Sequence, residues 1–294
     1  MMQTFAFWLL SCLIQAGASA PADSKPLPEL NSFLQNIRKH LHKDSTLQSH
    51  YTYTERTIVR QLGSDGRARQ TDTRIYEIYP SIEEQLTYRR LISKNEKPLS
   101  AEEMKKQDNE FDKKRRELAS KRERETPSEK QRREAKEKEA QQEEEKDLDE
   151  AFRLYNVMMI GREEFEGIPV ILLSFEPRPE YKAKTESGKI LSKVHGKAWF
   201  TEEDQELVRI EIELRDNLSF GLGMLAKINK GTHIVFQRHQ VNDEIWLPAE
   251  VHFGGKGRIM LFKGFHVEQE TAFSDYKKFS VETLSKIQPT EPRP

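Results

Sequence analysis

The chain predicts an α+β fold built on one large antiparallel sheet, and three observations lead there. In residues 207–215, Val208, Ile210, Ile212 and Leu214 alternate with Arg209, Glu211, Glu213 and Arg215. Successive strand side chains point to opposite faces, so this segment has one apolar face and one wet face. About ten such runs follow one another with short turns between most of them, the pattern of a meander rather than of βαβ units. Charge is also unevenly spread: 33 % of the 294 residues are charged, but about two thirds of residues 100–150 are. Outside that block the chain is apolar enough for a core. A sheet with one apolar face must cover it, either with its own helices or with a hydrophobic ligand.

The elements follow in order. The first twenty residues, MMQTFAFWLLSCLIQAGASA, are uncharged and apolar and end in small residues. That is the pattern of a cleaved secretory leader, with cleavage after Ala18 or Ala20, and it predicts a periplasmic or secreted protein. Ser11 and Gln15 interrupt the stretch, which falls short of the about 20 apolar residues of a membrane anchor. Cys12 is the only cysteine, so the mature chain would carry neither a disulfide nor a zinc–thiolate site. Residues 21–294 then read as a single domain with an insertion at 100–152.

Leu27, Leu30, Phe33, Leu34, Ile37 and Leu41 fall at helical spacing and predict an amphipathic helix over 28–42. Strands follow at 51–62, 69–79 and 84–93, the first two joined by the hairpin signal Gly63-Ser64-Asp65-Gly66. Ser100 with Glu103, and Thr126-Pro127-Ser128-Glu129, are capping boxes. They predict two charged helices meeting near Pro127, as a hairpin or a bent arm. Met104, Phe111 and Leu118 give the first a thin apolar seam. Such a segment serves as a solvated spacer or as an arm that docks an envelope protein.

Strand pattern resumes at 155–163 and 168–175, around Glu166-Gly167, and again at 193–201 and 207–215. Runs at 231–241, 245–253, 258–262 and 265–276 complete the set, with Gly254-Gly255-Lys256-Gly257 read as a turn. Between the two sets, 218–226 is apolar but broken by glycine. As a helix it would put Phe220, Met224 and Ile228 on one face, either plugging the sheet or forming a movable lid.

Catalytic and metal chemistry find little support. His40 and His42 are two apart on a predicted helix and point to different sides. His233 and His239 lie ~20 Å apart along a strand at ~3.3 Å per residue. The sequence contains no nucleophile elbow, HExxH or phosphate loop. Net charge is −1, which gives no general pull towards nucleic acid. The expectation is a binding protein without metal or cofactor, and not an enzyme.

Several stretches together resemble a known group: GREEFEGIPVILLSFEPRP, GKAWFTEEDQELVRIEIEL, and NDEIWLPAEVHF followed by FSDYKKF. They are similar to the LolA-like superfamily of envelope proteins, which includes outer-membrane lipoprotein carriers and RseB-type periplasmic sensors. More closely, they resemble exported bacterial proteins with a charged insertion at this place. The resemblance spans residues 28–99 and 152–280. It implies a curved half-barrel sheet with helices on its concave face, enclosing a cavity for acyl chains. The carriers lack the insertion, and their pocket residues have no clear counterparts here. The candidate cavity lining is Leu34, Ile37, Leu41, Val208, Ile210, Ile212, Leu214, Phe220 and Met224, and the implied ligand is a lipid or the acyl chain of a lipoprotein.

Overall fold

A computed structural model describes residues 25–40, 50–81, 86–220, 225–242, 244–259 and 263–278. The leader expected at 1–20 lies outside them, as do Leu41 and Met224. The first described element is α1 (Leu30–His40). Glu29 starts it, its carboxylate accepting from the N–H groups of Asn31 and Ser32 at 2.8 and 2.7 Å. These bonds satisfy donors that the first helical turn leaves open.

Among the described residues, thirteen strands form one open, curved antiparallel sheet. Strands β1 (Tyr51–Leu62), β2 (Ala68–Ser81), β3 (Leu86–Lys94) and β4 (Lys97–Pro98) form one end. Strands β5 (Tyr155–Phe165), β6 (Ile168–Pro177), β7 (Val194–Thr201) and β8 (Leu207–Leu214) form the other. They are joined through β11 (His233–Val241), β12 (Ile245–Ile259) and β13 (Lys263–Lys278). The spatial order is β4-β3-β2-β1-β13-β12-β11-β8-β7-β6-β5. Glu166 and Gly167 turn β5 into β6 with φ of 52° and 81°, the left-handed pair that a two-residue hairpin needs.

Two readings change here. The helix considered for 218–228 does not form in its described parts: β9 (Leu218–Phe220) pairs with β10 (Ala226–Ile228), and β10 pairs with β12. β12 runs on beyond the end of its pairing with β11, so it leaves a free edge that this small hairpin occupies. Nor are Gly254 to Gly257 a turn, because β12 passes straight through them. The glycines make room for neighbours. A Cβ on Gly257 would lie 2.3 Å from the Lys227 carbonyl oxygen, and one on Gly254 would lie 2.4 Å from the His233 ring.

Two long helices join the edges of the sheet. The chain leaves β4 into α2 (Ala101–Glu123), then enters α3 (Pro127–Leu154), which runs directly into β5. At ~1.5 Å per residue they reach roughly 35 and 42 Å. Both expected capping boxes are present, at Ser100/Glu103 and Thr126/Glu129. α2 rests on β3, where Phe111 stacks on Tyr88 at 4.2 Å. Asp108 accepts from the Tyr88 hydroxyl (2.6 Å) and from Arg90 (2.9 Å). Gln107 pairs with both the N–H and the carbonyl of Leu91, occupying part of an edge that could otherwise template another strand.

The base of α3 rests on the short α4 (Glu186–Leu191) and on β5. There the buried Glu150 accepts from the N–H of Thr185 at 2.9 Å and of Lys184. Hydrogen bonding from Thr185, side chain first, and from the Lys184 N–H holds its carboxyl below the usual range. Among the described residues, no helix is long and apolar enough to cross a membrane.

Candidate ligand-binding face

Strand register sets which side chains share a face, because residues paired across a ladder point the same way. One row crosses the sheet from β5 to β2: Met159, Leu173, Ala198, Ile210, Phe236, Val251, Thr271, Thr57 and Arg74. The next row on that face is Val157, Phe175, Gly196, Ile212, Ile234, Phe253, Gln269, Val59 and Asp72. Both rows are apolar at the β5 end and polar or charged at the β2 end. With ~4.8 Å between strands, the apolar stretch from β5 to β12 is about 24 Å wide.

α1 covers the first part of that stretch. Phe33 and Ile37 are each 3 % exposed and pack with Ile171, Leu173, Ala198 and Phe200, with Leu34 and Ile210 beside them. Phe33 meets Phe200 edge to face, centroids 6.3 Å apart, a favoured aromatic geometry. Ile212, Ile234, Phe236, Val251 and Phe253 come next and are half-buried. No described element forms a hydrophobic cluster over them.

The far side is different in chemistry. Glu55, Thr57, Asp72, Arg74, Tyr76, Arg89 and Gln269 help to line a hollow of about 360 Å³. The Arg89 guanidinium lies 3.5 Å over the Tyr76 ring and donates to Glu55. Arg74 donates to Asp72 at 2.8 Å, and this bond lowers the Asp72 carboxyl below its ordinary value. The face thus passes from a helix-covered core, through an open apolar strip, to a wall of paired charges.

The predicted lining residues are placed as follows. Leu34, Ile37 and Ile210 belong to the cluster under α1. Ile212 lies on the open strip, and Leu214 is buried at 5 % exposure. Val208 does not share the face of Ile210. Trp199 pairs with Arg209 and Phe200 with Leu207, which makes Val208 the extra residue of a β-bulge. Its side chain joins Val170 and Trp246 in a separate cluster. Phe220 is 39 % exposed on the added hairpin. Leu41 and Met224 fall outside the described residues. The residues that sequence reasoning missed are Ile234, Phe236, Val251 and Phe253, whose alternation within 231–241 and 245–253 was a usable signal.

No family model matches the chain, and no curated protein is similar to it. Among solved structures, it is similar to a chain described as an outer membrane lipoprotein-sorting protein domain from Vibrio parahaemolyticus, at 11% identity and TM-score 0.35. That alignment covers 88% of this chain and 98% of that one. It is also similar to a LolA superfamily protein from Nitrosomonas europaea, at 9% identity and TM-score 0.30, covering 85% and 94%. A third is a Pseudomonas aeruginosa MucA/MucB complex, at 8% identity and TM-score 0.20, covering 87% and 95%. These are likenesses of general layout only.

Proposed function

We propose that the protein binds an amphiphile without covalent chemistry. An apolar chain lies over Ile212, Ile234, Phe236, Val251 and Phe253, with its polar head against the Glu55–Arg74 wall. A lipid, or the acylated end of a lipoprotein, has this form. The observation that carries the reading is the change of character along one face, with half-buried apolar residues between a helix-covered region and a charged one. Each buried methylene contributes about 0.8 kcal/mol, so a long chain supplies affinity without a specific headgroup contact. The apolar leader pattern supports a role in the cell envelope, and residues 21–294 are taken as one binding domain rather than an enzyme.

The test is to purify the protein under native conditions, extract it for lipid mass spectrometry, and titrate it with a fluorescent fatty acid. Phe236→Arg should weaken the probe by at least about tenfold, the effect of an unpaired charge in an apolar contact, with the far-UV spectrum retained. A clean extract with no probe binding would sink the reading.

A second reading, a structural or sensory module with a filled core that docks a protein through 100–152, draws on α1, which fills the β5–β8 part of the face. Deleting the arm separates the two readings. Loss of a pulled-down partner with probe binding intact favours docking, and unchanged partners count against it.

A further inference from the structure

The arm carries a charge pattern that the ligand face does not use. Residues 113–138, around the elbow, hold twelve Lys/Arg against six Asp/Glu, whereas 139–150 hold seven Asp/Glu and one Lys. The basic block is only partly neutralised from within. Its ion pairs include Arg115–Asp112, Lys130–Glu134, and Arg133 with Glu125 and Glu137. Lys113, Lys114, Arg116, Arg132 and Lys136 show no ion pair among the described residues. In the acidic block, Asp147, Asp149 and Glu150 are engaged by Ser187, Arg38 and the Thr185 N–H. Glu139, Glu143, Glu144 and Glu145 are exposed and likewise show none. One arm therefore presents uncompensated charge of both signs, basic on α2 and the first part of α3 and acidic on the next stretch of α3.

The geometry gives the basic stretch a shape. α2 and α3 are anchored at opposite edges of the sheet and meet only near the elbow, so they enclose a wedge of about 1370 Å³. Eight Lys/Arg, among them Lys113, Arg116, Arg132 and Lys136, stand on its walls with four glutamates, Glu117, Glu125, Glu129 and Glu137, so the lining is net positive. Cations that line a cleft between two helices suit a rod-shaped acidic partner better than a flat anionic surface. A helix about 10 Å across, rising ~1.5 Å per residue, fills on the order of 120 Å³ per residue, so two turns of it fit this wedge with room to spare.

We infer that the wedge seats residues 139–146 of α3 from a second copy of this chain. Because the basic and acidic stretches adjoin, two α3 helices crossing antiparallel near Lys138 place each basic stretch against the other's acidic one. That is an isologous two-fold contact, in which the same patch is used by both subunits. Exposed charge pairs set the partner and register of such a contact, and salt screens them. The inference stands on the arm alone, whatever the sheet binds.

The test is light scattering and sedimentation of the intact protein, with salt as the variable. The expected result is a dimer at low ionic strength that dissociates as salt is raised. The triple variant Glu143→Lys, Glu144→Lys, Glu145→Lys should be monomeric, and so should Arg116→Glu, Arg132→Glu, Lys136→Glu. Mixing the two variants should restore a dimer, because both contacts become complementary again, a rescue that misfolded variants would not give. A wild-type protein that stays monomeric at about 100 μM in low salt, where screening is weakest, overturns the inference. So do reversed variants that remain dimers. If the monomeric wild type instead sediments with phosphatidylglycerol vesicles, the basic stretch belongs to a membrane contact and the self-pairing is wrong.

Discussion

α1 has 11 residues and buries Phe33 and Ile37 almost completely, whereas the 23-residue α2 buries none of its side chains. An isolated helix as short as α1 is marginal in water, so its order comes from the apolar face of β5–β8 beneath it. α2 and α3 instead rely on local signals: two capping boxes, a proline at the start of α3, and ion pairs such as Arg133–Glu137. They touch the sheet mainly near their far ends. The contrast separates a helix made by tertiary packing from helices made by their own sequence. Damage to the first should spread through the core, and damage to the second should stay local.

The largest expected effect follows from Phe33. Replacing it with alanine removes a ring from a packed cluster, and such changes cost about 3–5 kcal/mol. Denaturant unfolding should show this loss for Phe33→Ala. The same truncation in the arm, Leu118→Ala, should cost under about 1 kcal/mol, as for half-exposed sites. Equal costs would break the contrast, because they would mean that the arm is part of the same cooperative core.

A smaller effect sharpens how α1 is held. Arg162 donates to Glu202 at 2.6 Å and to the carbonyl of Lys25 at 3.0 Å, and Lys25 pairs with Glu202 at 3.2 Å. These bonds tie the chain just before α1 to the β7–β8 turn. The Arg162 hydrogen bond is the main reason that the Glu202 carboxyl falls from 4.5 to about 2. A lowered folded-state value means that the stabilisation is complete above about pH 4.5 and is lost as pH falls towards 2. Glu202→Gln should cost on the order of 1–2 kcal/mol at neutral pH, allowing for screening. Its unfolding midpoint should also decline less than the wild type's across that acidic window. A parallel decline in both proteins would assign the acid sensitivity elsewhere.

The same division governs what could be read from the chain. Helices α2 and α3 were legible nearly to the residue, because caps and breakers are local and act in sequence order. The strands and their one-sided polarity were legible too, since a period of two is local. Pairing decided the rest. Val208 fits the alternation of Ile210 and Ile212, but a bulge opposite Trp199 and Phe200 turns it away. Gly254 to Gly257 look like a turn until the His233 ring and the Lys227 carbonyl are brought against them. Phe220 reads as part of a helix until β12 offers a free edge. The ligand face was half visible. β8 announced its apolar side, but the change to charge at Asp72 and Arg74 appears only when nine paired strands are laid in register.

The smallest expected effect tests the local end of the contrast most directly. Thr126 accepts from the Glu129 N–H at 3.3 Å, while the Glu129 carboxylate accepts from the Thr126 N–H at 2.9 Å. Together they satisfy open donors at the start of α3. Thr126→Ala removes one side of this reciprocal cap, at about 1 kcal/mol, typical of such a change. If α3 is held at this end by its own sequence, only the elbow should feel the loss. Exchange of the Glu129 and Lys130 amides should then quicken by roughly fivefold, the equivalent of about 1 kcal/mol in a local opening. The main unfolding midpoint should stay where it is, since among the described residues no sheet side chain hydrogen-bonds to Thr126. A global shift of the size expected for a core truncation would show that the elbow is coupled to the sheet, and that the two kinds of helix are stabilised as one unit.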